Sequence, residues 1–205
     1  MPTTTPSFET LYLSKQPTKV VKYNDFLTFQ TLGVTSGTSY NQILSNNISR
    51  IRKLVGIPQI AASFNYAGNG GFIAPANSPF SSAPTTTAQG PITNINVLIS
   101  GTNLYQQNYN YGYEDFLQEI RKTSSINGGG SYGLSSGLIS QDDFENGYRF
   151  LVHDLSRTQS QATDDIGKSI QVIGTNSGLY PIDITWIVFY EREIEIDLQN
   201  GALVG

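Results

Sequence analysis

The chain has 205 residues, no cysteine, one histidine and a net charge of −4 from 12 basic and 16 acidic side chains, and it is long enough to bury a full core in one large β domain. The absent thiols exclude a disulfide framework, a thiolate metal site and a cysteine nucleophile. Its basic residues never cluster beyond Arg50, Arg52 and Lys53, so non-specific or direct nucleic-acid binding is not expected.

In chain order, Pro2 and Pro6 flank a Thr-rich stretch without periodicity, read as a flexible N-terminal arm over residues 1–10. No apolar run of about 18 residues occurs and the first residues lack a signal-peptide pattern, so a soluble protein made in the cytosol is expected, with no transmembrane segment. Leu11 to Lys15 and Val20 to Tyr23 are short β candidates, and Phe26 to Leu32 reads as the next strand, ended by Gly33 and Gly37. Ile43 to Ile57 is ambiguous. Its apolar residues fit a helical face, but Asn46, Asn47, Gly56 and Pro58 interrupt it, and strand is assigned to its second half.

Ala67 to Pro91 is a Gly- and Pro-rich loop, longer than ordinary connections and therefore functional or interfacial. A strand from Ile92 to Ser100 follows, with Gly101 turning the chain. Tyr105, Tyr109, Tyr111 and Tyr113 share one parity ahead of a helix over Glu114 to Thr123, whose Phe116, Leu117 and Ile120 form an apolar face and which Asn127-Gly128-Gly129-Gly130 terminates. Asp142 to Asn146 reads as a turn or short helix. Strands are expected over Tyr148 to Leu155 and Ser169 to Thr175, with a polar loop, Thr158 to Gly167, between them.

The last strand, Ile182 to Gln199, alternates with period two. Even positions from Ile182 through Trp186 and Val188 face a core, while Ile187 and Phe189 make the middle apolar on both faces. Straight, it would exceed roughly 50 Å, so a bulge or bend is expected near Arg192. About eight strands, one inserted helix and long loops give an all-β class, an eight-stranded jelly-roll sandwich occupying residues 11–205 as a single domain.

Nothing in the sequence requires an enzyme. His153, in Phe150-Leu151-Val152-His153-Asp154-Leu155, is a lone histidine within a strand and reads as a structural or surface residue. Asp142 with Asp143, and Asp164 with Asp165, read as solvated turn acids. Glu191, Glu193, Glu195 and Asp197 share one strand face, the solvated side. The glycine clusters lack the lysine and the strand-to-helix setting of a phosphate cradle. No catalytic, cofactor or metal site is assigned.

Lys53 and Glu114 bracket sixty consecutive residues without an Asp, Glu, Lys or Arg, which suits a surface covered by other subunits, since interfaces are depleted in charge and enriched in aromatics. Tyr105, Tyr109, Tyr111, Tyr113, Phe72 and Phe80 are the expected subunit-interface residues, with Arg157 as an intersubunit or structural cation. The same tyrosines keep a carbohydrate-binding jelly-roll module open as an alternative.

The strand Ile92-Thr93-Asn94-Ile95-Asn96-Val97, then Tyr113-Glu114-Asp115-Phe116-Leu117, then Tyr148 to Arg157, and last Tyr180-Pro181-Ile182-Asp183 leading into Phe189-Tyr190-Glu191 resemble one barrel of hexon-like double jelly-roll major capsid proteins of small eukaryotic DNA viruses and virophage-like elements. The pattern covers roughly residues 50 to 200 and departs from that family in length, since two barrels do not fit in 205 residues. The resemblance implies a shell-forming coat protein of an icosahedral virion, with copies of itself and other capsid proteins as partners and no catalytic residues to carry over.

Overall fold

The computed structural model describes residues 17–61, 92–124, 139–146, 149–156, 165–198 and 203–204. Among them are nine strands, β1 (Thr18–Val34), β2 (Ser39–Ile48), β3 (Ile51–Ile60), β4 (Ile92–Ile99), β5 (Thr102–Asn103), β6 (Leu151–Asp154), β7 (Lys168–Asn176), β8 (Ile182–Asp197) and β9 (Leu203–Val204). Two helices, α1 (Tyr113–Ser124) and α2 (Gln141–Asn146), lie between β5 and β6. The expected strand at Leu11 to Lys15, the loop at Ala67 to Pro91 and the glycines at 127–130 lie outside the described residues.

By internal contacts the chain separates into two units, Phe26–Tyr190 and the pair of segments Met1–Asp25 and Glu191–Gly205. The larger unit is an all-β sandwich of two antiparallel sheets, ordered β1-β8-β3-β6 and β2-β7-β4-β5. First pairs with eighth, second with seventh, third with sixth and fourth with fifth. This nesting is what one long antiparallel hairpin produces when it rolls up, and it defines a jelly roll.

The core is made by the inner faces of both sheets. Ile51, Leu54, Ile182, Ile184, Trp186 and Val188 come from one, and Leu44, Ile95, Val97, Ile99, Ile170 and Val172 from the other. On β8 the burial alternates as the sequence predicts, from Ile182 to Val188. Trp186 is fully buried, and its indole N–H donates to Thr31 Oγ1 at 2.9 Å. Its ring centroid stands 6.4 Å from that of Tyr40 in the opposite sheet.

Several boundaries differ from the sequence reading for identifiable reasons. β1 is one strand of 17 residues where two short ones are predicted, because pairing with the 16-residue β8 overrides the local turn preference of Asn24-Asp25. β2 is a strand where a helical pattern competes. Its buried residues Tyr40, Leu44 and Ile48 recur every four positions, a spacing compatible with a strand face and close to one helical turn. In β3 the register shifts between Ile51 and Lys53, leaving Arg52 as the extra residue opposite Phe189 and Tyr190. That bulge switches the buried parity from Ile51 to Leu54, Gly56 and Pro58. It falls on β3, at the level of Phe189 and Tyr190 of β8. Pro58 sits past Gly56, the last residue paired with β6, so its missing N–H removes no ladder bond there. The helix over Glu114 to Thr123 is present as α1, one residue longer at each end.

In the smaller unit, β8 pairs with β9 through Glu195 with Val204 and Ile196 with Leu203. Lys22 Nζ lies 2.7 Å from Glu193 and 3.5 Å from Glu191, while Arg192 lies 3.3 Å from Asp25. The strand acids thus sit on a charged face, and Glu193 holds the Lys22 ammonium above its ordinary range.

Candidate functional site

Of the four predicted interface tyrosines, Tyr105, Tyr109 and Tyr111 lie on the segment between β5 and α1 and Tyr113 opens α1; the segment is held against β4 by one buried amide. Asn96 Nδ2 donates to Tyr105 O and to Asn108 Oδ1, both at 3.0 Å, and its Oδ1 accepts the N–H groups of Val97 at 2.9 Å and Tyr105 at 3.2 Å. All four hydrogen-bonding positions of the side chain are used, which a buried amide needs. Ile95 and Tyr109 then exchange two backbone bonds, 2.9 and 3.2 Å. Just before Ile95, Asn94 adopts φ 52°, within the register shift between Thr93 and Asn96. Asparagine tolerates this left-handed conformation better than most residues.

The segment then closes the open edge of β6. Val152 pairs with Val55 of β3 on one side, and on the other its N–H donates to Tyr111 Oη at 2.8 Å while the hydroxyl donates back to Val152 O at 3.1 Å. Two residues on, Asp154 N donates to Glu119 Oε2 of α1 at 2.7 Å. Side chains here replace the missing neighbour strand, satisfying groups that would otherwise template pairing with another chain. Glu119 is itself buried, and its other oxygen receives Lys122 Nζ at 2.9 Å. The helix is positioned by Asp115 Oδ2, which accepts Gly112 N at 2.9 Å, and by Glu114 and Asp115 in the first turn with Arg121 and Lys122 in the last, complementing its dipole.

His153 is fully buried, and its Nδ1 lies 2.8 Å from Tyr105 Oη. Tyr105 and Tyr111 flank it edge-on, with centroids at 5.8 and 5.4 Å, and Tyr109 packs on Tyr105 at 4.6 Å. Burial raises the Tyr111 phenol well above its usual range, against a smaller lowering by its bond to Val152. Tyr109 is also raised, first by burial and then by its charged-form repulsion from Tyr105. Tyr113 packs on Phe116 and Phe144, and its hydroxyl donates to Ile139 O at 2.9 Å. Tyr111 is buried within its own chain, whereas Tyr105, Tyr109 and Tyr113 keep partial exposure. The structure brings Tyr105, Tyr109 and Tyr111 together around His153 and places Tyr113 in a neighbouring group with Phe116 and Phe144. Phe72, Phe80 and Arg157 lie outside the described residues.

The chemistry available at this cluster is that of packing and hydrogen bonding. The one histidine is bound to a phenol inside the protein, and Asp154 Oδ1 is engaged by Ser156 through its N–H at 3.0 Å and its hydroxyl at 2.5 Å. Among the described residues no three His, Asp or Glu side chains are grouped as metal ligands. Asp142 and Asp143 lie in the first turn of α2, whose Ser140 Oγ accepts Asp143 N at 3.2 Å, and Asp165 pairs with Arg50.

A second feature is the outer face of β1, β8 and β3. Lys53 pairs with Phe189, and Val55 with Ile187, opposite in parity to the buried Leu54, Trp186 and Val188. Lys53 Nζ lies 4.8 Å from the Phe189 ring centre, and the Phe26 ring is 6.0 Å from the same ring. Partial burial lowers the Lys53 ammonium below its ordinary range. Sequence reasoning recognised that Ile187 and Phe189 are apolar, that Glu119 would pair with a neighbouring basic group, as it does with Lys122, and that Asn176 begins a turn, but it missed the burial of Asn96, Glu119 and Asn176, whose polar identity gives no sign of it. Asn176 is buried at the turn into β8, donating to Val34 O at 3.0 Å and Tyr180 O at 2.8 Å.

No protein-family model and no curated protein matches this chain. A chain in the cryo-EM structure of the Sputnik virophage at 3.5 Å is similar, with 15% identity, a TM-score of 0.44 and coverage of 92% of this chain and 39% of that one. This chain therefore spans about two fifths of that neighbour's length.

Proposed function

We propose that this chain is a structural coat protein of viral-capsid type, a jelly-roll building block that associates with copies of itself and with other capsid proteins in a virion after synthesis in the host cytoplasm. The observation that carries the reading is the nested strand order β1-β8-β3-β6 against β2-β7-β4-β5, because the jelly roll is an architecture shared by capsid and lectin domains. The sixty uncharged residues between Lys53 and Glu114 favour the capsid use over a free monomer, whose surface needs dispersed charge.

Sedimentation velocity over a wide concentration range, at low and high salt, with electron microscopy of the same samples, tests the reading. Oligomers or particles that persist in high salt are expected, since apolar burial is not weakened by ordinary salt. A monodisperse monomer at the highest concentration in both salts overturns it and favours a carbohydrate-binding module.

A further inference from the structure

On the outer face of β1, β8 and β3 the apolar residues are not isolated. Phe26 is 57% and Leu32 67% exposed on β1, the Phe26 ring lies 6.0 Å from that of Phe189, and Phe189, Ile187 and Val55 are themselves partly exposed. Cross-strand pairing puts Val55 directly against Ile187 and Lys53 against Phe189. Helix α1 covers the β6 side of this sheet, where Glu119 holds Asp154 N, but β1 stands at the opposite edge of the strand order. A sheet face normally buries its apolar side against another layer, and a contiguous exposed apolar face marks an interaction site.

The face carries a cation at one end and an anion at the other. Lys53 is in register with Phe189, and Asp183 with Gln59, six residues further along β8, which is roughly 20 Å. Asp183 is fixed there by accepting Gly33 N at 2.7 Å through Oδ1. A two-fold axis perpendicular to the strands, lying between two stacked faces, brings the Lys53 end of each over the Asp183 end of the other. An axis parallel to the strands would put Lys53 over the Lys53 end instead. The charge pattern is therefore self-complementary in one orientation and self-repelling in the other, as an isologous interface requires.

We propose that the outer face of β1, β8 and β3 is a two-fold interface with a second copy of this chain, with Phe26, Val55, Ile187 and Phe189 at its centre and Lys53 of each copy against Asp183 of the other. The inference rests on the self-association argued above and specifies its surface and symmetry. Two sheets stacked in this way pack about 10 Å apart with strands within about 30° of alignment.

The test is a charge-reversal cycle on the full chain, read by sedimentation equilibrium. Lys53→Glu and Asp183→Lys are each expected to weaken the dimer by about tenfold or more through like-charge opposition, and the double reversal to restore it to within about threefold of the original. Phe26→Asp, at an exposed position that leaves the core untouched, is expected to weaken it as strongly and keeps the test open if a reversal at Asp183 impairs folding. If the unaltered chain is monomeric, the self-association reading fails together with this interface. If it assembles and all these folded variants assemble equally well, or if the double reversal is no better than the single ones, this interface is wrong while self-association stands.

Discussion

The Trp186 ring occupies the space that a side chain on Gly56 would need: a Cβ built on Gly56 stands 2.5 Å from Trp186 Cζ3 and 2.8 Å from Cε3. The two residues are direct cross-strand partners in β3 and β8. The opposite sheet repeats the arrangement with Tyr40 over its partner Gly174, again 2.5 Å from a built Cβ. Two large rings thus meet across the core because each has a glycine beside it in its own sheet.

Gly56→Ala is expected to destabilise the protein by about 1–3 kcal/mol through overpacking, and Trp186→Ala by about 3–5 kcal/mol through the cavity it leaves. Combining them separates close packing from any intrinsic strand effect of alanine. In the Trp186→Ala background the Gly56→Ala penalty is expected to disappear, an interaction energy measurable by urea denaturation. Equal penalties in both backgrounds would show that the ring contact is not what fixes glycine at 56.

Tyr40 Oη is buried and has no hydrogen-bond partner among the described residues. Tyr40→Phe is therefore expected to be neutral or stabilising by up to about 1 kcal/mol, since it removes a desolvated hydroxyl and keeps the ring. The same residue sets a pH dependence. Burial raises the phenol in the folded protein above its ordinary value of 10, so the folded state retains protons that the unfolded chain releases. The stability contribution is complete below pH about 10 and is lost as pH rises above it, by about 1.4 kcal/mol per pH unit per buried tyrosine. Denaturation curves in the alkaline range are expected to show a shallower decline for Tyr40→Phe than for the unaltered chain. An identical slope would contradict the assignment.

Closure of the β6 edge gives a different expectation. Tyr111→Phe leaves both Val152 backbone groups without their described partner and is expected to cost about 1–3 kcal/mol. Glu119→Gln retains an acceptor for Asp154 N and is expected to cost less than Glu119→Ala. Amide exchange at Val152 is the specific readout, with a large loss of protection in Tyr111→Phe and little change in an exposed β2 variant such as Ile43→Thr.

The alternation of Ile182 to Val188 made β8 and its buried tryptophan legible, as did the apolar face of α1, because both follow a single period imposed by one buried side. The interruption of parity in β3 was not legible, since a bulge at Arg52 depends on the partner strand and leaves no local composition signal. The tyrosines were visible as a group, but their neighbours were not. That Tyr105 meets His153, 48 positions away, and Tyr111 the backbone of Val152 depends on which strand becomes an edge, a property of sheet order. Asn94 and Asn96 offered the one usable hint, two polar residues inside an apolar strand, at the position where the register shifts.

Asn96 supplies the most demanding test of how the tyrosine segment is held. It is fully buried, and its Nδ2 gives both hydrogens to oxygens, at Tyr105 and Asn108. Asn96→Asp preserves shape and both bonds accepted from Val97 and Tyr105, but turns the donating end into an acceptor facing two acceptors and buries a charge. Asn96→Ala removes the side chain and leaves the N–H groups of Val97 and Tyr105 without this acceptor. The aspartate is expected to be the more destabilising near neutral pH, by more than about 3 kcal/mol, and to recover partly in acid, where a protonated carboxyl again offers one donor. Alanine has no such proton to take up, so its deficit relative to asparagine is expected not to recover in acid. Parallel melting of both variants at pH values above and below the carboxylate range distinguishes them, and an aspartate variant as stable as the original at neutral pH would show that Asn96 does not donate the bonds that fix the segment.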